Sequence, residues 1–248
     1  CEQAGVELKT KVDVKTINTN EQGYYLQTSQ GEIQCQSLVI ATGGLSIPSM
    51  GSSAFAYQVA QQFNLTTKPT RAGLVPFTFS DETKNLCEAL SGFAIDCHVQ
   101  VLGENNKPQK HTPSFTEAVL FTHRGLSGPA ILQISSYWQP GETIIINLIP
   151  EHDFLANLTE AKLNTPQLSV LQILQRFLPK RLAETLGEFI SGDDLKRELQ
   201  TFSQKQLTSL AENYTHWRLK PAASEGYRTA EVTLGGVDTD HLSSKTMA

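Results

Sequence analysis

The chain has 248 residues, 39% hydrophobic and 18% charged, with a formal net charge of −5. That is enough chain to bury a sizeable core and lies near two domains of common size. The balance is that of an ordinary globular interior and not of a strongly basic nucleic-acid-binding domain, and no apolar run approaches the ~20 residues of a membrane-spanning helix. The four cysteines, Cys1, Cys35, Cys87 and Cys97, are far apart and form no C-x-x-C pair. They read as reduced thiols of a cytoplasmic protein, with no zinc site, no other metal and no disulfide framework.

In chain order, Val6–Val14 alternates as a strand. Tyr24–Thr28 and Glu32–Cys35 follow as a hairpin turning at Ser29-Gln30-Gly31. Leu38, Val39, Ile40 and Ala41 form a continuous apolar run, the pattern of a strand buried on both faces, which ends at Thr42-Gly43-Gly44. A glycine pair there enters φ > 0 cheaply and lets backbone N–H groups touch a bound nucleotide. Pro48 and Gly51 make a loop, Ser52 or Ser53 is the expected N-cap, and Phe55, Val59, Ala60 and Phe63 share one helical face.

From Thr70 the pattern becomes short strands: Leu74–Phe79, Ala94–Leu102, Ala118–Phe121 and Thr143–Leu148, with turns at Gly103–Asn106 and Gln139–Gly141. A small barrel is expected, since closure removes exposed edges, and Pro76 marks a bulge or an edge. From Asp153 to Tyr214 the period changes to that of helices. Leu168 to Leu178 is expected as one helix stopped by Pro179, and Leu182, Leu186, Phe189 and Ile190 as the apolar face of the next. Asp193 is an expected cap, and Ser203-Gln-Lys-Gln206 has the form of a capping box.

Two further blocks carry candidate chemistry. In Thr122-His-Arg-Gly-Leu-Ser-Gly-Pro129, Ser127 is an expected cap and Pro129 suits a first helical turn. His123 and Arg124 before a helix start make a candidate anion or carbonyl site, the bland alternative being that they only satisfy backbone carbonyls. In Tyr227-Arg-Thr-Ala-Glu-Val-Thr-Leu-Gly-Gly-Val237 a second strand ends in a glycine pair. Charge adds little: positions 165–220 hold eight Lys or Arg against six Asp or Glu. Whether Lys180, Arg181, Lys196, Arg197, Arg218 and Lys220 form one basic face is open at this point.

Four blocks together, Leu38–Pro48, Thr70–Phe77, Phe121–Ala130 and Glu225–Asp238, closely resemble the bacterial flavoproteins of the HI0933-like or YhiN family. The resemblance implies an α+β multi-domain fold: part of a Rossmann-type FAD domain (β-meander and A-T-G-G turn), then a β-barrel insert interrupted by an α-helical subdomain. The implied boundaries are 1–69 for the partial FAD domain, 70–152 for the first part of the barrel and 153–215 for the helical subdomain. They continue with 216–234 for the returning barrel strand and 235–248 for the return toward the FAD domain. It further implies FAD contacts at Val14 (adenine), Ala41, Thr42, Gly43, Gly44, Thr233, Gly235 and Gly236. His123, Arg124 and Arg228 are the candidate catalytic residues. NAD(P)H is the implied electron donor, and the acceptor is either a small-molecule enone or a uridine of ribosomal RNA. The G-x-G-x-x-G turn that opens such flavoproteins and their closing Gly-rich segment are not in this sequence, so the chain reads as an internal fragment, expected to be monomeric and inactive alone. A reading from a different class is a non-catalytic barrel and helical module that grips RNA or a protein partner.

Overall fold

A computed structural model describes residues 2–103, 113–241 and 243–245. In chain order these form strands β1 (Val14–Asn20), β2 (Gly23–Thr28) and β3 (Gly31–Cys35), helix α1 (Phe55–Gln62), and strands β4 (Thr67–Gly73) and β5 (Phe77–Thr78). Helix α2 (Asp81–Ala89), strands β6 (Ala94–Leu102), β7 (Phe115–Thr122) and β8 (Gly125–Ser127), helix α3 (Pro129–Ser135) and strand β9 (Thr143–Asn147) follow. Helices α4 (Phe154–Asn164), α5 (Val170–Leu174), α6 (Lys180–Ser191) and α7 (Gln204–Thr215) then lead to β10 (Trp217–Leu219), β11 (Ala223–Ser224) and β12 (Val232–Val237). The chain divides into two compact units: Cys1–Gly44 with Ser53–Lys68 and Gly236–Ala248, and Leu45–Ser52 with Pro69–Gly235.

In the first unit β1, β2 and β3 form an antiparallel meander. The β2–β3 register pairs Thr28 with Gly31, and the Thr28 hydroxyl donates to the Gly31 carbonyl at 2.6 Å, closing the expected turn. Ile17, Leu26 and Val59 make a small core, against which Val14 packs. Two expectations fail. Val6–Asp13 is not a strand, and Val6 and Leu8 are 52% and 79% exposed. Residues 38–44 form no strand either: Val39 is 83% exposed, and Ala41, Thr42 and Gly43 are exposed. An apolar run becomes a buried strand only when neighbours take its backbone groups on both sides. Among the described residues no strand flanks this one. The cap expected from Ser52 or Ser53 is also displaced, since Ala54 holds the N-cap position and the Ser53 hydroxyl accepts from Phe55 N–H at 3.4 Å.

The second unit holds a seven-stranded sheet ordered β10-β9-β6-β7-β8-β5-β11. Its end strands β10 and β11 are joined by only Lys220, Pro221 and Ala222, a link reaching at most about 15 Å. The sheet must therefore curl until its edges approach. The expected closure is nevertheless incomplete, because β10 and β11 lie at opposite ends of the order, and Pro221 at the seam has no N–H to donate. The strand expected over Leu74–Phe79 is split: Leu74 adopts φ 46°, and only Phe77 and Thr78 pair.

All four of α4 to α7 lie between β9 and its sheet neighbour β10. Sequence signals start three of them. Asp153 Oδ1 accepts from Ala156 N–H at 2.9 Å, and Ser169–Gln172 and Ser203–Gln206 form complete capping boxes. The Ser169 box starts α5 at Val170, so the helix expected from Leu168 to Leu178 shrinks to Val170–Leu174. Asp193 caps nothing; it sits inside a 3-10 turn, Gly192–Lys196. Ser127 does not cap α3 either, because Gly128 occupies the N-cap position at φ 89°. Phe154, Phe202 and Tyr214 are fully buried in a core shared with the sheet residues Val99, Phe121 and Ile146. Of the turn expected at Gly103–Asn106, residues 104–106 lie outside the described residues, as does Cys1.

Burial raises the Cys87 thiol from 9.0 to about 12 and the Tyr214 hydroxyl from 10.0 to about 12, the latter opposed in part by its hydrogen bond to Ser191. Both groups ionise more readily in the unfolded chain. Their contribution to stability is complete below pH 9 and is expected to be lost as pH climbs from about 9 to 12. Urea midpoints across that window check this, and a flat profile contradicts it.

Candidate functional site

Three of the four sequence blocks converge on the two residues of β5. On one side Phe77 and Thr78 pair with Leu126 and Gly125, and on the other with Ser224 and Ala223. The Phe79 amide donates to the Arg124 carbonyl at 3.2 Å, and the Glu225 amide to the Pro76 carbonyl at 3.0 Å. His123 and Arg124 are thereby fixed as the tip of the β7–β8 hairpin, since Thr122 pairs with Gly125 and its hydroxyl donates to the Gly125 carbonyl at 3.1 Å. They do not precede a helix directly, because β8 intervenes before α3. They stand at a hairpin tip and not at a helix start.

Arg124 reaches Glu225, with Nη1 3.7 Å from Oε2 and side chains 43% and 12% exposed. The carboxylate is the more enclosed partner and holds a cation at the protein surface. His123 is exposed at the same tip, and Arg228 is exposed in the 3-10 turn Gly226–Arg228.

The segment from Glu225 to Thr233 also docks the loop Leu45–Ser52. The Ile47 amide donates to the Tyr227 carbonyl at 2.8 Å. The Thr233 hydroxyl accepts from Leu45 N–H at 2.8 Å and Ser46 N–H at 3.1 Å, and lies 2.9 Å from Ser46 Oγ. Leu45 directly follows Gly44, and Thr233 precedes Gly235 by two residues. One hydroxyl therefore joins backbone 188 residues apart in the chain. In the same unit, Ser52 Oγ and Thr229 Oγ1 are buried with no hydrogen-bond partner among the described residues. Such hydroxyls are uncommon in folded proteins and mark places where a polar ligand or water completes the structure.

The glycines differ in what they permit. Gly43 has φ 74° with open space where a Cβ would stand, while Gly235 and Gly236 lie in β12 at φ 85° and 124°. Gly73 serves packing, because an added Cβ would meet Leu234 Cγ at 2.6 Å. Val14 contributes its side chain to the meander core, and Ala41 and Thr42 stand exposed before Gly43.

Arg71, in the Thr70–Phe77 block, is a structural cation: it donates to the Trp138 carbonyl at 3.1 Å and to the Ser136 carbonyl, just past the end of α3. Leu74 and Val75 amides donate to the Ser136 and Ser135 hydroxyls beside it. Three of the six cations considered for one basic face have individual settings. Arg181 donates to the Ala89 carbonyl and stands over Phe93, Arg197 pairs with Asp194 and stacks on Phe202, and Arg218 extends from β10. Among the described residues no cluster of His, Cys, Asp or Glu is arranged to hold a metal, and no helix is long and apolar enough to cross a membrane.

Comparison with known proteins places this architecture. The family described as "HI0933-like protein barrel and H2TH domain" matches residues 71–232. Among curated relatives, a ribosomal RNA dihydrouridine synthase of Escherichia coli is 44% identical over 100% of this chain and 59% of its own length. A protein of the same name from Haemophilus influenzae is 40% identical over 100% of this chain and 60% of its length. A 3-dehydro-bile acid delta(4,6)-reductase of Clostridium scindens is 23% identical over 98% of this chain and 59% of its length. The chain thus spans about three fifths of the length of the curated relatives it matches. By the family match and these identities, the chain belongs to the HI0933-like, or YhiN, family.

Proposed function

We propose that this chain is part of a flavin-dependent reductase that converts a uridine of ribosomal RNA to dihydrouridine, with FAD as the flavin and NAD(P)H as the electron donor. The observation that carries the reading is the identity of 44%, along the whole of this chain, with a ribosomal RNA dihydrouridine synthase. The relative at 23% is named as a reductase of a different substrate, so uridine is favoured over a small-molecule enone by closeness of relationship.

The residues present fit a nucleotide cofactor in two respects. Gly43 leaves its backbone approachable, and Ser52 Oγ and Thr229 Oγ1 are buried polar atoms in need of a partner. Within the second unit, Ser52, Thr229 and Thr233–Gly235 would contact the flavin nucleotide; in the first unit, the family resemblance assigns cofactor contacts to Val14, Ala41, Thr42, Gly43, Gly44 and Gly236. When bound in reduced form the flavin supplies a hydride to a C=C bond conjugated with a carbonyl. The chain's own residues then handle charge and proton. As hydride reaches C6 of the uracil, negative charge develops on the C4 oxygen, and the Arg124 guanidinium, steadied by Glu225, offers donors to it. His123 delivers the proton that C5 takes up, which completes the reduction of the 5,6 bond.

Ribosomal RNA from cells lacking the gene is expected to lose one dihydrouridine, read by mass spectrometry of nucleosides, and to regain it on complementation. An unchanged dihydrouridine content refutes the reading. In the intact protein, Arg124→Ala is expected to leave flavin content unchanged and to slow uridine reduction by roughly 30- to 150-fold, the equivalent of ~2–3 kcal/mol for a lost charge-assisted contact. Equal turnover would return Arg124 to a purely structural partner of Glu225.

A further inference from the structure

Between the ends of α6 and α7 and the edge strand β10 lies a cavity of about 620 Å³, within the second unit and separate from the residues assigned above. Its walls combine an aromatic face, a polar edge and a cation. Phe189 was expected on the buried face of its helix with Leu182 and Leu186; those two are fully buried, but Phe189 is 37% exposed. Its ring stands edge-to-face with Trp217, at 6.4 Å between centroids and 78° between planes. Trp217 is 7% exposed, so the pair forms a backed aromatic wall with one face open. Asn213 and Glu212 add a carboxamide and a carboxylate, and Arg218 and His216 line the mouth.

The strand beside the cavity adds direction. Trp217 and Leu219 are buried and alternate with His216, Arg218 and Lys220, which are exposed. Of these exposed residues, only Arg218 lies in the outermost strand of the sheet, where it pairs with Ile145, and His216 and Lys220 flank that strand in sequence to continue the row. His216 Nδ1 lies 3.0 Å from Thr215 Oγ1, which orients its ring.

We propose that this cavity and the β10 row bind a single-stranded RNA segment, one unpaired base stacking on Phe189 and flanking phosphates following Arg218 and Lys220. This rests on the RNA reading above and adds a second grip on that substrate, away from the uridine being reduced. An aromatic face accepts any base, whereas a cationic row tracks the backbone, and the two together are the physical recipe for holding unpaired nucleotides. The Asn213 carboxamide supplies both donor and acceptor to a base edge. Glu212 takes only donors and repels phosphate, which keeps the backbone on the Arg218 side. The charge of positions 165–220, net positive within a net negative chain, agrees with this placement.

The test uses the intact protein and a fluorescently labelled, unstructured RNA oligonucleotide, with affinity read by anisotropy at several salt concentrations. Phe189→Ala is expected to weaken binding by about 5- to 150-fold, with Phe189→Tyr restoring it. Arg218→Ala and Lys220→Ala are each expected to lower the slope of log affinity against log salt by about 0.7. All these side chains are exposed or partly so, and unchanged circular dichroism spectra will show the variants folded. Wild-type affinity and slope in the variants, or no binding of RNA by the wild type, overturns the proposal. Dihydrouridine content in cells carrying Phe189→Ala separates it from the reading it rests on. Variants that bind normally in a strain whose dihydrouridine depends on the gene refute the cavity alone, whereas weakened variants in a strain with unchanged dihydrouridine uphold the cavity and refute the reaction.

Discussion

Gly125→Ala is expected to destabilise the second unit by about 3–5 kcal/mol, at the upper end of what single substitutions do. A Cβ there would lie 2.2 Å from the Phe77 carbonyl oxygen and 3.0 Å from Phe79 Cδ2. A carbonyl oxygen cannot swing aside as a flexible side chain can, so β5 or β8 must move. β5 has only two residues, each paired on both sides, and a shift opens the ladder to β8 and to β11 together. Because β5 also sets the approach of Glu225 to Arg124, the same substitution should abolish the uridine reduction proposed for the intact protein in whatever fraction remains folded. Gly141→Ala is the control: φ is 95° but nothing stands within 4 Å of the added methyl, so only the conformational cost of about 1 kcal/mol applies. Urea midpoints of the two variants compare collision with strain, and similar values would show that the Phe77 carbonyl yields.

Thr233→Val should have the second largest effect, about 2–4 kcal/mol, although valine keeps the shape of threonine. The substitution removes the acceptor of two backbone N–H groups, at Leu45 and Ser46, together with the partner of the Ser46 hydroxyl. Each donor left without a partner in a partly buried place costs about 1–3 kcal/mol. The loop Leu45–Ser52 would then be held chiefly by the Ile47–Tyr227 bond. Faster amide exchange over residues 45–52 and lower content of the proposed flavin in the intact protein are the expected signs, with Thr233→Ser restoring both. Unchanged exchange in the valine variant would mean that the hydroxyl does not anchor the loop.

Local chemistry was legible wherever a few neighbouring residues suffice to dictate a conformation. The β2–β3 hairpin follows from alternation on either side of Ser29-Gln30-Gly31, and the start of α7 from Ser203 and Gln206, because those partners lie within three residues of each other. The change of period at Asp153 announced the helical stretch, and the four blocks in order disclosed the family. Expectations failed where the outcome depended on a distant partner. Leu38–Ala41 has the composition of a buried strand, yet a strand needs neighbours that composition does not supply.

Likewise His123 and Arg124 were read against the helix that follows them, whereas they form the tip of the β7–β8 hairpin, and β5, more than forty residues upstream in the chain, pairs with β8 and brings Glu225 to the guanidinium. Ser52 and Thr229 look like ordinary loop residues in sequence; only folding buries their hydroxyls without partners. Phe189 fits a helical apolar stripe as well as Leu186 does, and its exposure beside Trp217 is decided by where α7 and β10 end. The sequence by itself determined the family, the capping boxes, the meander hairpin and the position of the helical stretch, each through contacts within a turn or through motif order. The tertiary structure alone decided the Thr233 tie, the Arg124–Glu225 pair and the aromatic cavity, because each joins groups whose separation along the chain leaves no local pattern to read.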